Sequence, residues 1–217
     1  MHGKLLGVLA VAGTIASASA NAASVTVDVT DSSGMPSANA VVVLAPDPLS
    51  AAPVSHVAEK SIIDQRHETF LPLVVVVRKG GSVTFTNNDV TTHQVYSFST
   101  IKQFQFEIDE GQVSKPVEFD KPGVAAIGCN IHDNMVAFVY VADAPYAAIT
   151  DNAGRVAFNG IPDGVYRASV WHPRLRMGRQ PTPQTLTVHG TDARLAFSIP
   201  LIVEAMHGMG RMHRADY

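Results

Sequence analysis

The strongest constraint on this chain is its rhythm. Short apolar runs with a two-residue period recur along it, broken every few positions by turn-forming residues, and no stretch sustains a helical period. Val25, Val27 and Val29 alternate with Thr26 and Asp28 before the turn cluster Asp31-Ser32-Ser33-Gly34-Met35-Pro36. Ala40 to Leu44 is wholly apolar, and residues 45 to 55 hold three prolines and read as a linker. The pattern resumes near Ser61. It predicts strands at Val74 to Val77, Ser82 to Phe85, Val95 to Phe98, Phe104 to Ile108, Val117 to Phe119, Val124 to Ile127 and Val136 to Val141. A third block begins near Pro145, with strands predicted at Val156 to Phe158, Tyr166 to Trp171, Thr185 to Val188 and Ala193 to Ile199. Many short strands with regular turn signals predict an all-β chain built of sandwiches or barrels.

The first 22 residues carry a different signal. Lys4 precedes a short apolar run from Leu5 to Ile15, small residues follow, and Ala20-Asn21-Ala22 fits an A-x-A cleavage site. The run is too short and too rich in Ala, Ser and Gly for a membrane anchor. Residues 1–22 are therefore expected to be a signal peptide, with export to the periplasm. No later segment is long and apolar enough to predict a transmembrane helix. A formal net charge of −3 and the lack of a basic run argue against nucleic acid as a partner.

Export makes the cysteine count informative. There is a single cysteine, Cys129, so no internal disulfide can form. A free thiol in an oxidising compartment invites oxidation. It is either a small buried apolar residue or a thiolate held by a metal. Its surroundings, Cys129-Asn130-Ile131-His132-Asp133-Asn134-Met135, place a thiolate, an imidazole and a thioether on one loop between two predicted strands. His93 stands upstream, just after the strand break Asn87-Asn88-Asp89 and at the start of another strand. Singly, Met135 reads as a core residue and His93 as a strand-end residue. Together, two imidazoles, a thiolate and a weak axial Met form the donor set of a mononuclear copper site used for electron transfer. Zinc is the rival ion, but structural zinc sites usually take four Cys or His ligands.

These residues carry a resemblance. Residues 57–143 resemble a cupredoxin, the small blue-copper Greek-key β-sandwich. The short Cys129-x-x-His132-x-x-Met135 loop is similar to that of amicyanins, whereas plastocyanins have a longer gap to Met. The wording His93-Gln94-Val95-Tyr96-Ser97-Phe98-Ser99 and Gly128-Cys129-Asn130-Ile131-His132-Asp133 resembles periplasmic proteins labelled methylamine utilisation proteins. The resemblance implies one copper ion on His93, Cys129, His132 and Met135, with Cys129 the electron conduit, His132 the exit and Met135 the axial tuner. The chain departs from the pattern in three places. Gln94 replaces an Asn whose amide helps fix the thiolate, Asn130-Ile131 replaces a frequent Thr-Pro, and Ala125 and Ile127 replace tyrosines.

The flanks read separately. The segments Val27 to Val42 and Thr150 to Tyr166 resemble the opening and continuation of a carboxypeptidase-regulatory-like, transthyretin-like β-sandwich. We therefore expect residues 24–48 and 144–200 to form one small Ig/transthyretin-like sandwich split by the copper domain. A tandem arrangement is the alternative. Residues 201–217 are expected to be a flexible tail, whose Met206, His207, Met209, Met212 and His213 could collect copper. His172 reads as a strand-end residue.

The function expected is a periplasmic electron carrier cycling Cu(I)/Cu(II) with a redox partner protein. No enzyme is expected, because multicopper oxidases need clustered histidines and no His-x-His pair occurs. Two alternatives stand beside it: copper acquisition or delivery, and a β-sandwich interaction module of the cell envelope.

Overall fold

The computed structural model describes residues 23–47, 59–176 and 179–202. The expected signal peptide, most of the proline-bearing linker, and the methionines and histidines of the expected tail lie outside these residues. Every regular element among the described residues is a strand. In chain order the first block holds β1 (Ala23–Asp31) and β2 (Val41–Pro46). The middle block holds β3 (Lys60–Gln65), β4 (Phe70–Leu71), β5 (Val74–Arg78), β6 (Gly81–Asn87), β7 (His93–Ser99), β8 (Lys102–Ile108), β9 (Val117–Phe119), β10 (Gly123–Cys129) and β11 (Val136–Ala142). The last block holds β12 (Tyr146–Ile149), β13 (Arg155–Ile161), β14 (Gly164–Trp171), β15 (Gln184–Val188) and β16 (Ala193–Ile199).

The strands form four sheets, ordered β13-β1-β16, β12-β2-β14-β15, β4-β3-β6-β9 and β5-β11-β10-β7-β8. The first two enclose a core around Val25, Val27, Leu44, Ile161 and Ile199, and the last two enclose another around Ile63, Phe85, Phe119, Ile127 and Val139. Each core follows from strict alternation: in β1 and β6 every second residue is buried. Strands β1 and β2 find their partners far along the chain. β1 pairs antiparallel with β13 and parallel with β16, and β2 lies between β12 and β14.

A third apolar layer explains two runs that do not alternate. Val41 and Val43 of β2 face away from their own core and pack with Val74 of β5 and Ala144. Phe138, Tyr140, Ile149 and Trp171 flank them, and the Trp171 ring meets Phe138 and Tyr140 with both centroids at 5.7 Å. The sandwiches therefore stack through the β5-β11 side of one sheet and the β2-β12-β14 side of another. A strand buried on both faces must be apolar throughout, which accounts for Val41-Val42-Val43-Leu44 and Val74-Val75-Val76-Val77.

Of the expected tail, residues 201 and 202 lie among the described residues. Leu201 makes a β-bridge with Leu175, and Arg174 donates through Nε and Nη2 to the Ile202 carbonyl. His172 is also more than a strand end. It is buried, its Nε2 donates to the Ala38 carbonyl at 3.0 Å, and its Nδ1 accepts from the Arg174 amide at 3.0 Å. It thereby ties the end of β14 to the segment before β2.

Candidate metal centre

Antiparallel pairing of β7 with β10 sets Val95 opposite Cys129. Because a strand's side chains repeat every two residues, His93 lies on the same core-facing side as Val95. His93 begins β7 and Cys129 ends β10, so both sit at one end of the sandwich. Three connections meet there: the β3–β4 turn, the β6–β7 loop with Asp89, and the β10–β11 loop with His132 and Met135.

The ligand atoms of His93, Cys129 and His132 all lie within 4.8 Å of one another. Cys129 Sγ is 3.7 Å from His93 Nδ1, and His132 Nδ1 is 3.3 Å from His93 Nδ1. His93 and Cys129 are buried, while His132 keeps 22% of its side chain exposed. Met135 closes the loop, with its amide donating to the His132 carbonyl at 3.1 Å. The residue is 2% exposed and belongs to the same core as Cys129. Three of the four residues singled out from the sequence thus present donors to one point, and the fourth is buried at the close of the loop.

The two spacings from His93 Nδ1 are compatible with a single ion. A metal about 2.0 Å from nitrogen and about 2.3 Å from sulfur spans donors up to about 4.0 Å apart for two nitrogens, and about 4.3 Å for nitrogen and sulfur. The observed 3.3 and 3.7 Å correspond to angles of about 110° and about 120° at such an ion, the open angles of a trigonal or tetrahedral site. Two imidazoles, a thiolate and a thioether suit copper in either oxidation state.

Each imidazole turns its outer nitrogen to a carboxylate. His93 Nε2 lies 3.2 Å from Asp89 Oδ2, and His132 Nε2 lies 3.5 Å from Glu68 Oε1. A carboxylate accepts only, so the proton of neutral His93 sits on Nε2 and its Nδ1 lone pair faces the centre. Asp89 Oδ2 also accepts the Glu68 amide at 2.7 Å, and Asp89's own amide donates to Asn87 Oδ1 at 2.9 Å. The Glu68 amide foremost, helped by the His93 ring and the Val90 amide, holds the Asp89 carboxyl below the ordinary carboxylate range against the opposing pull of desolvation.

Glu68 stands on a strained turn. Arg66 and Thr69 exchange both backbone hydrogen bonds, at 3.0 and 3.1 Å, around His67 and Glu68, whose φ angles are 51° and 53°. Two positive φ values are the type I′ hairpin pattern that ordinarily selects Asn-Gly. The left-handed region costs an ordinary L-residue about 1–2 kcal/mol. Neither carboxylate stands out in the sequence: Asp89 is part of a strand break, and Glu68 carries no spacing signal.

The departure at Gln94 has a local account. Asn130 Nδ2 donates to Gln94 Oε1 at 2.7 Å, the Asn130 amide donates to the Gln94 carbonyl at 3.1 Å, and Gln94 Nε2 donates to Glu107 at 3.3 Å. Gln94 thus clamps the first residue of the ligand loop to β7.

Solved structures similar to part of the chain include the following three. The copper-containing nitrite reductase of Thermus scotoductus SA-01 matches at 23% identity over 43% of this chain and 26% of its own, with a TM-score of 0.37. This chain therefore spans about a quarter of that protein's length. A purple cupredoxin from Nitrosopumilus maritimus matches at 24% identity over 39% of this chain and 100% of its own, with a TM-score of 0.34. Amicyanin from Paracoccus versutus matches at 21% identity over 43% of this chain and 87% of its own, with a TM-score of 0.35. No family model matches the sequence, and no curated protein matches it. With TM-scores this low, the reading of the centre rests on its own geometry.

Proposed function

We propose that this chain is an exported type 1 copper protein that carries single electrons to or from a redox partner in the periplasm. The observation behind the reading is the convergence of His93, Cys129 and His132 within 4.8 Å, with Met135 buried at the close of the same loop. When bound, copper supplies a one-electron Cu(I)/Cu(II) couple. His93 and His132 offer Nδ1 lone pairs, Cys129 offers a thiolate, and Met135 offers the weak thioether that tunes such a site.

His93 and Cys129 stand on adjacent hydrogen-bonded strands, so the backbone fixes their separation. A frame that moves little suits a centre that must serve two oxidation states with one geometry. Burial of His93, Cys129 and Met135 keeps bulk water away, while the partly exposed His132 ring offers a short route to a partner. The export signal at residues 1–22 agrees with a periplasmic role.

The test is copper loading of the purified mature chain, followed by visible and EPR spectra. We expect one copper per chain, a strong thiolate-to-Cu(II) band, and loss of that band in Cys129→Ser. Met135→Leu should keep copper and shift the reduction potential. A wild-type chain that takes only zinc, or a Cys129→Ser variant that keeps the band, overturns the reading.

A further inference from the structure

We propose that Asp89 is a positioning residue that aims the His93 imidazole at the centre, and that the charges of Asp89 and Glu68 together bias a bound copper ion toward Cu(II). The inference rests on the copper reading above. Its core is an arrangement the ligand motif does not require: each ring's outer nitrogen meets a carboxylate. Asp89 Oδ2 lies 3.2 Å from His93 Nε2, and Glu68 Oε1 lies 3.5 Å from His132 Nε2.

The two carboxylates are mechanically joined. Asp89 accepts the Glu68 amide at 2.7 Å through the same Oδ2 that faces His93. One carboxylate oxygen therefore aims the buried ring and also pins the turn that carries the second carboxylate. That turn holds His67 and Glu68 at φ 51° and 53°, where a two-residue hairpin prefers Asn-Gly. Strained backbone persists where surrounding contacts over-determine it, and it concentrates at functional sites. Here the strain places a carboxylate at the edge of His132.

The charge effect follows from Coulomb's law. A nearby negative charge stabilises the more highly charged ion more, so both carboxylates favour Cu(II) over Cu(I). Their environments differ. The Asp89 side chain is 11% exposed and is weakly screened by salt, whereas that of Glu68 is 61% exposed and is strongly screened. A carboxylate behind a ligating histidine also fixes its tautomer and raises its basicity.

The experiment uses the full mature chain with Asp89→Asn, Glu68→Gln and Glu68→Lys. Chelator competition measures Cu(II) and Cu(I) affinities, voltammetry measures the midpoint potential, and long-range 1H–15N NMR of the metal-free chain reads the His93 tautomer. We expect Asp89→Asn to lose about 10-fold or more in Cu(II) affinity, with a smaller loss for Cu(I). Glu68→Gln should raise the potential, Glu68→Lys should raise it further, and both shifts should shrink at about 1 M salt while that of Asp89→Asn persists. The His93 proton should be on Nε2 in the wild type.

Folded, copper-loaded variants with an unchanged Cu(II)-to-Cu(I) affinity ratio overturn the proposal and leave the copper site standing. A His93 proton found on Nδ1 overturns it as well. If Asp89→Asn does not fold, the Glu68 pair decides, and the absence of a stepwise rise from Gln to Lys overturns it. A wild type with the expected tautomer that takes no copper overturns the copper reading, and the bias toward Cu(II) falls with it.

Discussion

His93 Nδ1 lies 3.3 Å from His132 Nδ1, although the two residues are 39 positions apart in the chain. The Nδ1 lone pair of neutral His93 faces the centre, so a cation there meets two imidazole nitrogens and the Cys129 sulfur together. A ligand that binds only the folded state stabilises it by mass action, by about 2.7 kcal/mol at 100 times its dissociation constant. We therefore expect copper to raise the thermal midpoint of the mature chain, and Cys129→Ser to remove most of that rise while changing the metal-free midpoint little. A melt that copper leaves unmoved would argue that the three donors form no metal site.

Gly128 precedes Cys129 and lies under the Tyr96 ring. A Cβ at this position would sit 2.6 Å from Tyr96 Cζ and Oη, so Gly128→Ala must swing the ring aside and disturb its packing on Phe98, whose centroid is 4.9 Å away. Overpacking of this kind costs about 1–3 kcal/mol. The cost should fall in a Tyr96→Ala background, where the ring is gone. Denaturant melts of the four chains in this cycle check it, and equal costs in both backgrounds would show that Tyr96 is not the obstacle.

His172 predicts a pH dependence with a definite sign. Burial lowers its pKa below the ordinary 6.5, against the opposing hydrogen bond to the Ala38 carbonyl. The unfolded chain therefore takes the proton first, and stability falls as pH drops below the unfolded value, until the folded-state pKa is passed. Protonation also ends acceptance of the Arg174 amide at Nδ1. Between about pH 7.5 and about pH 5, His172→Gln should lose less stability than the wild type. Identical slopes for the two chains would exclude His172 as a contributor.

Much of the fold could be read from local pattern. β1, β6 and β16 alternate cleanly, and turn clusters bound them. β2 and β5 were visible as apolar runs, but their second buried face was not, because it depends on how the two sandwiches meet around Trp171. Strand β4 has two residues and β12 has four partly buried ones, too little for a period to show. At the candidate centre, Cys129, His132 and Met135 announce themselves by spacing, and His93 by its place after a strand break. Asp89 and Glu68 do not, since they act on the rings through a loop and a left-handed turn that only the folded backbone brings together. Gln94 could be seen as a departure, but its clamp on Asn130 could not.

The strand pairing carries the last prediction, which concerns the division of the chain. β1 is the middle strand of its three-stranded sheet, and β2 is an inner strand of its four-stranded sheet. Among the described residues, all the strands they pair with lie between Tyr146 and Ile199. A fragment of residues 144–217 thus lacks the centre of both sheets and leaves β13, β14 and β16 with open edges, which invite aggregation. A fragment of residues 57–143 keeps all nine strands of the middle block, together with the buried core around Phe85 and Ile127. We expect this fragment to fold and bind copper. It should also self-associate, because Val74, Phe138 and Tyr140 lose the cover of β2 and Trp171. Circular dichroism, copper titration and sedimentation of the two fragments decide the matter. Cooperative unfolding of a monomeric 144–217 fragment would overturn the split arrangement and favour two domains in tandem.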